Sequence, residues 1–204
     1  MDADETSFPH FAGSSSGLGR ALLGAPLLRP WPPSVAEVQD ILSGHDYQVL
    51  DLLGYGGMGA VFKVLNCKPG MTRCEAVKIR RPGARDDESF RRSFLEEIKT
   101  LAELKHRGLT TVFNSGESDE GYLWFTMEFL EGRTLAQLMA PREPPLPPDR
   151  IVDISLQICE ALQFIHGINK LHRDLKPANV MVCDDGSVRL LDFGIAATLE
   201  AHAH

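Results

Sequence analysis

The run Gly54-Tyr55-Gly56-Gly57-Met58-Gly59-Ala60-Val61 has the spacing G-x-G-x-x-G-x-V. Glycines so placed let backbone N–H groups approach phosphate oxygens with no side chain between. The alternating residues Val61, Phe62, Lys63 and Val64 that follow read as a strand, where a dinucleotide-binding turn would open a helix. No Gly-Lys-Ser/Thr follows, so the run is not a Walker-type loop; taken alone it equally fits a Gly-rich hairpin turn. Lys78 stands in Ala76-Val77-Lys78-Ile79, in mid-strand among apolar residues, where an ammonium is unfavourable unless it meets an anion. Glu97 falls three residues after Phe94 and four before Leu101, inside an apolar helical stripe. An inward acid near an inward lysine makes an ion pair that would aim the ammonium at phosphates. The alternative for Glu97 is a plain solubilising charge beside Glu96.

These residues need elements to position them. Strand-like runs at 47–53, 60–65 and 75–80, the last two joined by a turn around Pro69-Gly70, predict an antiparallel meander. Phe90, Phe94, Ile98 and Leu101 predict a helix from about residue 87 to 104. Two further strands, 111–114 and 122–128, flank the turn Ser118-Asp119-Glu120-Gly121, so the first half is a five-stranded sheet with one long helix. After the Pro-rich stretch 141–148, Asp149 is expected to cap a second long helix with Ile151, Ile154, Ile158, Leu162 and Ile165 on one apolar face. Runs at 180–183 and 187–191 around Asp184-Asp185-Gly186 read as a hairpin.

That hairpin separates His172-Arg173-Asp174-Leu175-Lys176-Pro177-Ala178-Asn179 from Asp192-Phe193-Gly194. With the Gly-rich loop and the lysine-bearing strand, these motifs resemble the protein kinase family in order and context. The strings Gly-Gly-Met-Gly and Asp-Phe-Gly-Ile-Ala make the resemblance closest to bacterial Ser/Thr kinases, and it runs from about Tyr47 to Ala197. It implies an α+β, protein-kinase-like fold. It also implies an ATP-dependent transfer of the γ-phosphate to a protein Ser or Thr hydroxyl, with ATP and Mg2+ required. By the same resemblance Asp174 orients or deprotonates the hydroxyl and Asn179 and Asp192 hold Mg2+. Lys78 contacts the α- and β-phosphates with Glu97 bracing it, and Lys176 steadies the γ-phosphate. Gly54, Gly56, Gly57 and Gly59 cover the phosphates. Leu53, Val61, Ala76 and Met181 sandwich adenine, with Met127 as gatekeeper and Glu128 to Leu130 as the hinge.

The implied organisation is a leader or linker outside the core over residues 1–45, a small lobe and hinge over 46–130, and a partial large lobe over 131–204. Within the leader, Ser34 can cap a short helix carrying Val35, Val38, Ile41 and Leu42. The sequence stops ten residues after Gly194. The expectation is therefore a fragment of a longer kinase, the alternative being a short nucleotide-binding scaffold without phosphotransfer. A small-molecule kinase shares an H-x-D-x-x-x-x-N loop, but Arg173, Lys176 and Pro177 match the protein-directed family better. A net charge of −7 argues against nucleic acid or an anionic membrane as the main partner. Cys67, Cys74, Cys159 and Cys183 lack zinc spacing and read as reduced cytosolic thiols, although Cys67 and Cys74 could meet across a hairpin. No run nears the ~20 apolar residues of a membrane span, so a soluble, cytoplasmic chain is expected, with room for an anchor elsewhere in a longer protein.

Overall fold

The computed structural model describes residues 31–57, 59–70, 72–82 and 88–191. The alternating run from Tyr47 folds as an antiparallel meander of β1 (Tyr47–Tyr55), β2 (Gly59–Asn66) and β3 (Arg73–Arg80). Two later strands, β4 (Val112–Glu117) and β5 (Leu123–Glu128), complete a sheet in the order β1-β2-β3-β5-β4. Successive side chains of a strand point to opposite faces, and this sheet buries both. On one face Ala76, Phe125 and Met127 pack with Phe90, Phe94, Ile98 and Leu101 of the helix α2 (Glu88–Glu103). On the other, Phe62, Val64, Val77, Ile79 and Trp124 form a second core. Burial on both sides explains why β3 reads as a nearly continuous apolar run around Lys78.

That second core corrects the expectation that everything up to residue 45 stands outside it. Val38, Ile41 and Leu42 are buried against the sheet. Val38 and Ile41 belong to α1 (Val35–Ile41) and Leu42 is its C-cap; the helix starts in a capping box, in which the Glu37 N–H donates to Ser34 Oγ and the Ser34 N–H donates to the Glu37 carboxylate at 2.7 Å. Each such apolar side chain, once buried, contributes about 1.5–3 kcal/mol, enough to dock a segment whose flanking composition is that of a linker.

The strand register places Leu65 opposite Cys74, so Cys74 does not meet Cys67 across the hairpin, and all four cysteines are free. Between these strands Gly70 takes φ 79°, the left-handed turn conformation expected near Pro69-Gly70.

The second lobe opens with two short elements that the sequence pattern did not announce, β6 (Gly132–Thr134) and α3 (Leu135–Leu138). The long helix α4 (Pro148–Gly167) follows. Asp149 lies in its first turn and does not cap it; Pro147 and Pro148 start the helix, their fixed φ being pre-set for that position. Most of the expected apolar face packs inward: Ile154 and Ile165 are buried and Ile158 and Leu162 pack on the core, whereas Ile151, at the start of the helix, is exposed. Ala161 is buried on the same face, where Gly108 approaches so closely that a Cβ would sit 2.7 Å from the alanine methyl.

The predicted hairpin forms as β7 (Val180–Cys183) and β8 (Val188–Leu190), turning through Gly186 at φ 87°, and the second sheet has the order β6-β7-β8. The two lobes share one apolar core and a backbone seam. Thr110 donates to the Leu190 carbonyl from its N–H (3.1 Å) and hydroxyl (2.9 Å), and the Leu190 N–H donates to the Gly108 carbonyl (2.8 Å). Among the described residues no helix is long and apolar enough to cross a membrane.

Candidate active site

A cleft of about 630 Å³ lies along the seam between the lobes. Leu53 and Gly54 of β1, Val61 of β2 and Ala76 of β3 line it from the small lobe, Met127 to Leu130 form its back, and Met181 of β7 lies on the large-lobe side. Residues separated by more than a hundred positions thus line one cleft. Thr110, Glu131, Gly132, Gln137, Asp184 and Leu191 also line the cleft and were not foreseen. Only Leu191, directly before Asp192, carried a sequence signal. The others arrive because the lobes close on one another.

The hinge is fixed by Glu128. Its carboxylate accepts the Thr111 N–H (3.0 Å) and lies 3.5 Å from Arg189 Nε, while its own N–H donates to the Thr111 carbonyl (2.9 Å). Its side chain is thereby committed to joining the lobes, and what the hinge offers a ligand is main chain.

The glycines divide into two kinds. A Cβ at Gly59 would lie 2.5 Å from the Ile79 carbonyl oxygen, so this glycine is required by the approach of β2 to β3. Cβ atoms at Gly54, Gly56 and Gly57 would meet nothing within 4 Å. The chain's own packing does not demand those three, which leaves their surface open to a ligand.

Lys78 is 8% exposed and pairs across the ladders with Val61 and Phe125. The side chains two residues away on either side fix its direction. Ala76 belongs to the α2 core and the Arg80 guanidinium lies 4.3 Å from the Phe90 ring centroid, so Lys78 points to the face covered by α2. Glu97 is half-buried on that helix, between Phe94 and Ile98.

The residues expected to form the catalytic loop are held by local hydrogen bonds. His172 is buried, and Arg173 adopts φ 63°, a conformation rare for a non-glycine residue and found disproportionately at functional sites. The strained turn presents Asp174. Lys176 Nζ donates to Asp174 Oδ2 at 2.7 Å, and Asn179 Nδ2 donates to the same oxygen and to the Asp174 carbonyl, both at 2.9 Å. The Lys176 hydrogen bond holds the Asp174 carboxyl below the usual carboxylate range, with Asn179 adding to the effect and partial burial opposing it. Asn179 is itself buried, at the end of a 3₁₀ turn, and its carbonyl accepts the Leu191 N–H at 2.9 Å. One hydrogen bond therefore connects the catalytic loop to a residue of the cleft. Asp192, the other expected metal ligand, lies outside the described residues.

This constellation is matched by known proteins. The family described as the protein kinase domain matches residues 47–204. The serine/threonine-protein kinase PknB of Mycobacterium leprae is 35% identical over 156 residues, covering 75% of this chain and 25% of the relative. The serine/threonine-protein kinase pkn3 of Myxococcus xanthus is 36% identical over 168 residues, covering 80% of this chain and 30% of the relative. The crystal structure of the Mycobacterium tuberculosis PknI kinase domain superposes with a TM-score of 0.64 at 36% identity, covering 74% of this chain and 59% of that one. The chain thus spans about a quarter of the length of PknB and more than half of the PknI kinase domain. Since the match takes in the Gly-rich loop, the lysine strand and the catalytic loop in one continuous stretch, this chain belongs to the protein kinase domain family, among bacterial serine/threonine kinases.

Proposed function

We propose that this chain carries the nucleotide-binding and phosphoryl-transfer residues of a protein serine/threonine kinase, which moves the γ-phosphate of ATP to a protein hydroxyl. The observation that carries the reading is the Asp174 carboxylate, held by Lys176 and Asn179 and tied through Asn179 to the cleft. ATP suits this site in shape and chemistry. The cleft has apolar walls for a flat base, a main-chain hinge for the base edge, and a Gly-rich loop in which no side chain at Gly54, Gly56 or Gly57 stands in the way of a phosphate.

The site also suits Mg2+. The Asn179 amide turns its nitrogen to Asp174, so its oxygen remains as a hard ligand of the kind this ion takes. Asn179 and Asp192 would hold the ion. When bound, Mg2+ neutralises charge on the β- and γ-phosphates. Lys78, buried on the α2 face, supplies a fixed positive charge for the α- and β-phosphates, with Glu97 on α2 as its brace. Asp174 accepts a hydrogen bond from the substrate hydroxyl. Its lowered pKa keeps it ionised at neutral pH, which favours orienting the hydroxyl and receiving its proton late, as the new P–O bond forms. Lys176 is placed to move between Asp174 and the transferred phosphate. The Lys176 and Pro177 surroundings favour a protein Ser or Thr acceptor over a small alcohol.

The test is transfer of radiolabelled γ-phosphate to Ser/Thr-rich acceptor proteins and to the chain itself, alongside ATP titration by calorimetry. Incorporation that depends on Asp174 is expected; label transfer that survives Asp174→Asn undiminished would overturn the assignment.

A further inference from the structure

The Pro-Trp-Pro-Pro run and the helix after it play no part in the reaction as described, yet they are tied to the nucleotide site. β1 is an edge strand, and edge strands leave a row of N–H and C=O groups unpaired. Gln39 of α1 takes up two of them: its Nε2 donates to the Tyr47 carbonyl and its Oε1 accepts the Val49 N–H, both at 2.9 Å. From there the segment runs back past the buried Pro33 to Trp31, whose indole N–H donates to the Gly56 carbonyl at 3.3 Å. Trp31 packs on the second core, and the Arg81 guanidinium lies 5.7 Å from its ring. Residues 31–42 therefore reach from the start of β1 to the loop at its far end.

Among the described residues, few side chains hold that loop. Gly56 and Gly57 have no side chains, Tyr55 is 65% exposed, and the hairpin is closed at its tip by the Gly56 N–H donating to the Gly59 carbonyl at 2.9 Å. Trp31 occupies a carbonyl oxygen, a group that an anionic ligand cannot use. It can therefore fix the loop without competing for phosphate.

We propose that residues 31–42 form a strap on the small lobe and that Trp31 is a positioning residue for the Gly-rich loop. By restraining Gly56 before the nucleotide arrives, it lowers the ordering cost of binding the phosphate end of ATP. The phosphate role rests on the nucleotide reading of the cleft; the restraint itself does not.

The test uses the full 204-residue chain and Trp31→Phe, which keeps an aromatic ring on the core and loses the N–H donor. Calorimetric titration with ATP and, separately, with adenosine is paired with amide hydrogen exchange over residues 54–59 in the absence of nucleotide. Faster exchange in the loop is expected, with ATP bound about two- to tenfold more weakly, the range of one hydrogen bond, and adenosine bound as before. Equal weakening of both ligands would mean a general loosening of the lobe and would overturn the positioning role, as would unchanged ATP affinity. Unchanged exchange would overturn the strap. If the unsubstituted chain bound neither ligand, the nucleotide reading and the phosphate role would both fall, and the exchange result alone would decide whether Trp31 restrains the loop.

Discussion

The cleft gathers Leu53, Val61, Ala76, Met127 and Met181 from five strands in two lobes, whereas the catalytic loop takes Asp174, Lys176 and Asn179 from six consecutive residues. The first is made by packing, and its precision depends on two apolar cores and on the seam through Thr110, Glu128 and Leu190. The second is made by side-chain hydrogen bonds within one turn, on a backbone strained at Arg173. The difference teaches where each fails. On the proposed function, a change in the cleft is expected to alter shape and hence affinity, and a change in the loop the placement of charge and hence rate.

The sharpest test of that separation is Asp174→Asn. It keeps the shape of the side chain but removes its negative charge and replaces one acceptor oxygen by a donor, so phosphotransfer is expected to fall about 10²- to 10⁴-fold, with ATP affinity by calorimetry unchanged. A comparable loss of affinity would break the comparison.

The converse substitution is Ala76→Phe. It fills the cleft between Val61 and Met127, on a strand whose alanine is 5% exposed. Overpacking of about 1–3 kcal/mol corresponds to roughly 5- to 150-fold weaker ATP binding. The Asp174 titration, followed by NMR, should not move.

Gln157 of α4 joins the two plans. Its Nε2 donates to the Gly186 carbonyl at 3.3 Å and its Oε1 accepts the Val188 N–H at 2.9 Å, pinning the hairpin between catalytic loop and cleft. Gln157→Ala is expected to cost about 1 kcal/mol in denaturant unfolding. Hydrogen exchange should quicken at residues 183–188 before it does in β3.

The smallest effect is read by pH. A carboxylate whose pKa is lowered on folding adds stability above its unfolded value, near ~3.9 for Asp, and that increment is lost as pH falls through the folded value. Lys176→Met removes the largest cause of the Asp174 shift. The Asp174 titration should then move up toward the ordinary range, and the variant should lose stability relative to the parent at neutral pH but not at pH below both values. An unmoved titration would show that Asn179 alone holds the carboxylate.

The sequence by itself determined the strands of the small lobe, α2, the hairpin and the catalytic loop, because each rests on short-range rules: alternation, helical spacing, turn glycines, and a motif whose members bond to one another. It also marked Lys78, whose charge has no reason to stand in an apolar strand. Tertiary structure alone decided three other things. It set how far the apolar stripe of α4 is buried, since Ile151 continues the spacing of Ile154, Ile158 and Ile165 yet is exposed, while Ala161 is buried against Gly108. It formed β6, a three-residue strand in which Gly132 at φ 152° passes too close to Val182 for any side chain. Finally, it drew residues 31–42 onto the sheet. Their composition reads as linker, and only an edge strand and an uncovered apolar face, both made by residues distant in sequence, give Gln39, Val38 and Leu42 something to bind. Local patterns carry information about the backbone that contains them; a docking surface exists only after the rest of the chain has folded to make it.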